Sequence, residues 1–322
     1  MQTALKVSPQ PRSAPIQVGR FRIKDDHAQN RWLNIPETLI HSSNIATARI
    51  ADAPRGVDQV VREELRPRVA EIDAGAYPEA ALRALGGSGA FGHHLGEAGE
   101  GLLAAVDAMG LVGEACLSTA FCVWCQDALA WYLARSEEAG PRRHLAAVAS
   151  GEALGGTGLS NPMKALAGIE PLALEGRREG NGYRVRGRLP WVSNLGPGHR
   201  FAGIFALPDG RRLMGLFEAG GKAVSISANA RFVALEGTGT YTVMVRDAFV
   251  PDEDIVSGDT AAFVPRIRNG FVLLQTGMGL GLARGVAAMM RQDARGREQA
   301  RFLPLGPEAI EERAEALRER VA

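Results

Sequence analysis

The chain has 322 residues and a formal net charge of +1. A balance so near zero leaves no global field drawing the protein to nucleic acid or to an anionic membrane surface. Hydrophobic residues make up 46% of the sequence, ordinary for a globular protein that buries a large core, and the length accommodates two or three domains.

Residues 1–52 show no sustained periodicity and carry Pro9, Pro11 and Pro15, so a disordered N-terminal extension is expected there. The start of this segment lacks the apolar core of a secretory signal peptide. The cysteines, Cys116, Cys122 and Cys125, give no disulfide framework, and a reducing, cytoplasmic setting is expected. Lys6, Lys24, Lys164 and Lys222 are the only lysines. The arginine excess is read as genomic bias and not as a binding surface.

A helical domain is expected over 53–152. Val57, Val60, Val61, Leu65, Val69 and Ile72 recur at three- and four-residue steps, a helical face, with Pro67 kinking or restarting the helix. Pro78 opens a second helix through Leu85, closed by Gly86-Gly87. Further helices are predicted over 102–109, 114–135 and around 141–150. Cys122-Val123-Trp124-Cys125 has a redox spacing but lies inside an apolar run, with no helix N-terminus or cation to lower a thiol pKa and no second ligand pair for zinc. These are read as core cysteines. His93-His94, followed by Glu97, is read as a polar loop and not as a metal site.

The character changes at Gly155, and a β domain is expected over 153–258. Strands are predicted over 172–177 and 183–188, joined by an Asn181-Gly182 hairpin turn. Tyr183, Val185 and Gly187 alternate with Arg184, Arg186 and Arg188, so one face is wet. Strands over 201–207 and 211–217 flank Pro208-Asp209-Gly210, and another covers 240–250. Short, closely spaced strands indicate a barrel or sandwich. Helical spacing returns from Gly270 in a last region, 259–322. The apolar stretch 271–290 approaches transmembrane length but holds Gln275, Arg284 and several glycines, and it is read as a buried helix. Gly277, Gly281 and Gly285 fall four apart on one face, which lets another helix approach closely. Gly277 to Gly281 matches a dinucleotide fingerprint only superficially, because no βαβ unit surrounds it. A charged, solvated helix is predicted over 307–321.

Three stretches now align in order. A glycine-threonine loop, Gly155-Gly156-Thr157-Gly158-Leu159-Ser160-Asn161-Pro162, precedes the hairpin, whose second strand closes on Pro190-Trp191-Val192-Ser193-Asn194. The boundary Phe249-Val250-Pro251-Asp252-Glu253 follows. That order resembles the acyl-CoA dehydrogenase family over roughly residues 53–290. The resemblance implies an α+β fold: an N-terminal helical domain, a central β-barrel domain that binds flavin, and a C-terminal helical domain, here partial because the sequence stops before several helices usual in the family. It implies bound FAD, with Gly156, Thr157, Trp191 and Ser193 as the cofactor-binding residues. In the family the aromatic ring packs against the flavin and the hydroxyl bonds near its reactive N5.

The sequence also departs from the pattern. The family's Glu-Pro and Gly-Ser-Asp are replaced by Leu159-Ser160-Asn161-Pro162, and its Arg-x-x-Phe-Gly motif is not evident around Arg297 to Leu303. The family abstracts a substrate α-proton with a carboxylate base while a hydride passes to the flavin. Gly281 stands where some relatives carry that glutamate, and no acid occurs from Phe271 to Arg291, so no catalytic residue is assigned. The leading expectation is an FAD-dependent oxidoreductase acting on an acyl-CoA. The alternatives are a flavin-dependent monooxygenase of the same fold and a truncated non-catalytic paralogue. A small-molecule substrate, an electron-transfer partner or flavin reductase, and a homo-oligomer are expected. No metal, nucleic acid or membrane is.

Overall fold

The computed structural model describes residues 16–18, 21–23, 56–96, 101–228, 230–292, 302 and 304–321. The chain divides into two compact units, Met1–Arg55 and Gly56–Ala322. In the first, β1 (Ile16–Val18) and β2 (Phe21–Ile23) pair antiparallel, Ile16 opposite Ile23. This corrects the expected structureless extension at those positions, where β-branched and aromatic residues form a run too short to register as periodicity. The rest of that extension lies outside the described residues.

The second unit opens with helices. The predicted face from Val57 to Ile72 forms α1 (Val57–Val60), a π turn (Val61–Leu65), a 3-10 turn (Arg66–Arg68) and α2 (Val69–Asp73). Pro67, lacking an N–H, sits where the helix is interrupted. Next come α3 (Glu79–Gly87), α4 (Leu102–Ala115) and α5 (Leu117–Arg135). Cys116, in extended conformation, separates the last two: its N–H closes α4 on the Val112 carbonyl and its carbonyl accepts from Ala120 to open α5. The helix expected around 141–150 is two pieces, α6 (Ala139–Arg142) and α7 (Leu145–Ala149).

Nearly every residue of α5 from Ser118 to Leu133 is buried, so it reads as apolar all round instead of amphipathic. Cys116, Cys122 and Cys125 are buried free thiols, two of them on this helix, as the core reading expects.

An eight-stranded sheet follows, ordered β10-β7-β6-β4-β5-β9-β8, with β3 beside β6. Its strands are β3 (Gly155–Thr157), β4 (Leu174–Glu179), β5 (Gly182–Val192), β6 (Arg200–Ala206), β7 (Arg212–Glu218), β8 (Val224–Ser227), β9 (Tyr241–Pro251) and β10 (Ile255–Ser257). Glu179 pairs with Gly182, so the hairpin turns on Gly180-Asn181, one residue earlier than predicted. Gly180 takes φ +57° and Asn181 does not take a positive φ, the pattern of a type II′ turn instead of the type I′ that Asn-Gly favours.

The strands β6 and β7 are buried on both faces. Phe201, Phe205, Leu213 and Phe217 enter the core enclosed by the sheet; Ala202, Ile204, Met214 and Leu216 enter the core built around α5. This shared wall joins helices to sheet. The expected loop after Thr157 contains a short helix, α8 (Ser160–Leu166).

Asp259 caps α9 (Thr260–Leu274), accepting from the N–H groups of Ala261 and Ala262. After it come α10 (Thr276–Gln292) and α11 (Pro307–Glu319). The stretch Thr260–Gln292 is long and apolar enough to cross a membrane by length and composition alone. In the fold, α10 buries Gly277, Leu280, Gly281 and Ala287. Its glycine face meets α4: a Cβ on Gly277 would stand 2.8 Å from the Val106 carbonyl oxygen, and one on Gly285 would stand 2.8 Å from that of Glu114. The charged helix α11 is anchored by Arg318 to Asp107 of α4 and by its Glu315 to Arg284 of α10, and it buries Ala314.

Candidate functional site

Gly155-Gly156-Thr157 is not an open loop but the buried strand β3, running parallel to β6 with Gly156 opposite Phe201. Its glycines are explained by packing. A Cβ on Gly155 would stand 2.1 Å from the Arg200 carbonyl oxygen and 2.5 Å from Leu129 of α5. One on Gly156 would stand 2.1 Å from the carbonyl oxygen of Ser193. The strand is thus wedged between α5, β6 and the end of β5, where any side chain larger than hydrogen collides.

Of the sequence-predicted residues, the wedge brings Gly156 and Ser193 into contact. Gly156 backs directly on Ser193, and Trp191 lies two residues before it at the end of β5. The Trp191 side chain stays 48% exposed, with Phe232 edge-on at 5.9 Å between ring centroids. The hydroxyl of Thr157 turns away into the helical core, 3.0 Å from the Tyr132 hydroxyl, and its oxygen accepts from the Leu159 N–H.

Ser193 begins a chain of hydroxyls that the sequence did not reveal. Its Oγ lies 2.6 Å from Thr240 Oγ1, which lies 2.7 Å from Thr238 Oγ1. Thr238 in turn donates to the Leu235 carbonyl at 2.8 Å. The backbone holds this chain in register: Asn194 N–H donates to the Thr238 carbonyl at 2.9 Å, and Leu195 N–H to that of Gly239 at 3.1 Å. Leu235 and Gly239 both take left-handed conformations, φ +65° and +57°, to shape the loop.

Asn194 is the buried node beneath. Held at φ +61°, it accepts from the Tyr77 hydroxyl at 2.6 Å and donates to the Gly155 carbonyl at 2.6 Å. Gln126 of α5 accepts from Gly155 N–H at 2.9 Å and from Asn194 at 3.3 Å. Burial pushes the Tyr77 and Tyr132 hydroxyls well above the usual tyrosine range, so both remain neutral hydrogen-bonding groups. Tyr77, Gln126 and Thr240 escaped sequence reasoning because their partners lie tens of residues away, and the Thr238 hydroxyl joins the site only through Thr240. The one local signal is Asn194 itself, a residue type that tolerates positive φ, ending a strand.

Other sequence candidates are placed elsewhere. Gly277 to Gly281 lies within α10 and forms no strand-to-helix loop. His93 is exposed while His94 is buried, and among the described residues no group of His, Cys, Asp and Glu is placed to hold a metal. Glu97 lies outside the described residues. Gly281, aligned with the family's glutamate, faces Gly110 and Gly113 of α4.

Residues 53–152 match the family model "Acyl-CoA dehydrogenase, N-terminal domain". Among solved structures, an electron transferring flavoprotein structure from Acidaminococcus fermentans aligns with a TM-score of 0.65 at 17% identity, over 83% of this chain and 82% of that one. Butyryl-CoA dehydrogenase from Megasphaera elsdenii aligns with a TM-score of 0.65 at 16% identity, over 82% and 73%. A glutaryl-CoA dehydrogenase from Mycobacterium smegmatis, in complex with FADH2, aligns with a TM-score of 0.61 at 18% identity, over 82% and 70%. No curated protein matches the chain. The helical segment 53–152 is thus similar to the acyl-CoA dehydrogenase N-terminal domain, and the chain shares the fold of the acyl-CoA dehydrogenases it aligns with.

Proposed function

We propose that the chain binds FAD and acts as an oxidoreductase resembling acyl-CoA dehydrogenases, with an acyl-CoA thioester as the leading substrate. The observation that carries this reading is the seating of Ser193 against Gly156, with the exposed Trp191 two residues before it on β5. A half-exposed indole and a half-buried hydroxyl stand two residues apart at the end of β5, against the tightly packed glycine strand β3. Those features fit a planar, hydrogen-bonding ring.

In this reading Trp191 supplies the aromatic face and Ser193 the hydrogen-bonding edge. Gly156 and Thr157 form the floor, which Tyr132 braces through Thr157. Bound FAD supplies two-electron redox chemistry. Electrons leave to an electron-transfer partner, and the protein works as a homo-oligomer. The visible absorbance of the purified protein, with fluorescence titration by added FAD, tests the reading. Flavin bands and quenched or enhanced flavin fluorescence are expected; colourless protein that leaves FAD fluorescence unchanged overturns it.

One observation favours a second reading. No acid occurs from Phe271 to Arg291, and the Gly281 position is closed off by α4. A flavin monooxygenase of this fold needs no carboxylate at that place. Anaerobic bleaching of the flavin by an acyl-CoA supports dehydrogenation. Substrate hydroxylation with supplied reduced flavin and oxygen supports the second reading.

A further inference from the structure

The hydroxyl chain behind Trp191 has a direction. Each hydroxyl owns one hydrogen. Thr238 spends its hydrogen on the Leu235 carbonyl, a group that can only accept. In the 2.7 Å contact between Thr238 and Thr240, Thr240 must therefore donate. Its hydrogen being used, the 2.6 Å contact with Ser193 leaves Ser193 as donor. The hydrogen of Ser193 thus points inward, and what its half-buried oxygen offers a ligand is lone pairs.

We propose that Thr238 and Thr240 are positioning residues that turn Ser193 into an obligatory hydrogen-bond acceptor, so that the site prefers reduced to oxidised flavin. The inference rests on the FAD reading above. Two-electron reduction turns bare ring nitrogens, which accept, into N–H groups, which donate. An acceptor fixed beside the ring is matched to the reduced form. Against the oxidised form it faces lone pair with lone pair, unless the chain breaks and strands a polar group. Thr238 is buried, and its segment is clamped by the Asn194 and Leu195 backbone bonds, so the chain cannot reverse without losing its terminal bond to Leu235.

The experiment measures equilibrium binding of oxidised and of reduced FAD, under anaerobic conditions, to the full chain and its variants. Thr240→Val and Thr238→Val each free the Ser193 hydrogen. The ratio of reduced to oxidised affinity is expected to fall about tenfold, the size of one net neutral hydrogen bond. That corresponds to about 30 mV in a two-electron potential. Thr240→Ser keeps a hydroxyl and should restore the wild-type ratio. Thr242→Val is the control: its hydroxyl donates to the Pro190 carbonyl of the neighbouring strand β5 and has no link to the Ser193 hydroxyl, so the ratio should not move. A general loss of stability would weaken both affinities together and leave the ratio alone. The proposal is overturned if Thr238→Val, which trims only the end of the chain, binds both forms in the wild-type ratio, or if Thr242→Val shifts the ratio as much as Thr240→Val. If neither form of FAD binds the wild-type chain, the flavin reading itself fails and takes this inference with it.

Discussion

Gly281 rests directly on Gly110: a Cβ added to Gly281 would stand 2.4 Å from the Gly110 carbonyl oxygen and 2.7 Å from Gly113 Cα. The position that aligns with a catalytic glutamate in some relatives is here a helix-packing contact. Installing a carboxylate at this position would pry α10 from α4 before it created a base. Gly281→Ala is expected to cost about 1–3 kcal/mol by overpacking. Gly279, two residues away, has nothing within 4 Å of its added Cβ. Gly279→Ala should therefore stabilise α10 by up to about 1 kcal/mol through helix propensity. Opposite shifts in the thermal melts of the two variants confirm the packing; shifts of the same sign would contradict it.

Trp191 is exposed enough that its replacement should spare the fold. Trp191→Ala is expected to change the melting of the ligand-free chain little, because mutations at exposed sites usually stay within about 0.5 kcal/mol. Retention of FAD should weaken by several-fold, the loss of an aromatic contact worth about 1 kcal/mol. FAD titration of both proteins, set beside their melts, separates the two effects. A large stability loss with unchanged flavin affinity would recast Trp191 as a core residue.

Sequence reasoning recovered what is written locally. The helical face from Val57 to Ile72, the wet face of Arg184, Arg186 and Arg188 on β5, and the small-residue face of α10 all follow from side-chain spacing over a few residues. It failed where the cause is tertiary. Gly155 and Gly156 look like a ring-cradling loop, but their Cα atoms are spoken for by Arg200, Leu129 and Ser193. The break at Cys116 has no local marker, since its neighbours are good helix formers. In the candidate site, Trp191 and Ser193 stood out in the sequence as a Trp-x-Ser pair at the end of a predicted hairpin strand. Thr238 and Thr240 were not, because the Ser193–Thr240 bond spans 47 residues.

The three cysteines should be inert in the native protein. All are buried, and burial pushes the thiols of Cys122 and Cys125 well above the usual cysteine range, leaving little thiolate to react. A thiol reagent is expected to label none rapidly under native conditions and all three in denaturant. A single thiol in denatured, unreduced protein would instead reveal a Cys122–Cys125 disulfide.

The buried pair of His94 and Asp127 should leave a signature in the pH dependence of stability. Both side chains are fully buried in the helical core. His94 Nε2 bonds the Asp127 carbonyl at 2.9 Å, but its Nδ1 and both carboxylate oxygens of Asp127 have no hydrogen-bond partner among the described residues. Trp131 stacks on the imidazole, and Arg135 lies beyond over the indole. Burial drives the Asp127 carboxyl well above the usual range, while burial chiefly, aided by Arg135 and His93, lowers His94 to about 4. The two shifts act in opposite directions. Asp127 stays protonated in the fold, so above its unfolded value of about 3.9 unfolding releases a proton and stability falls as pH rises. His94 stays neutral, so between about 4 and 6.5 unfolding takes up a proton and stability rises with pH. In that window the two contributions oppose each other as long as Asp127 stays protonated in the fold. Asp127→Asn removes the Asp127 contribution and gives the pair an N–H that can serve Nδ1. Its stability relative to wild type, from urea melts at successive pH values, should grow by about 1.4 kcal/mol per pH unit above about pH 4, until the folded-state pKa of Asp127 is reached. A difference that stays flat with pH would mean that Asp127 is ionised in the fold, held as an ion pair with a protonated His94.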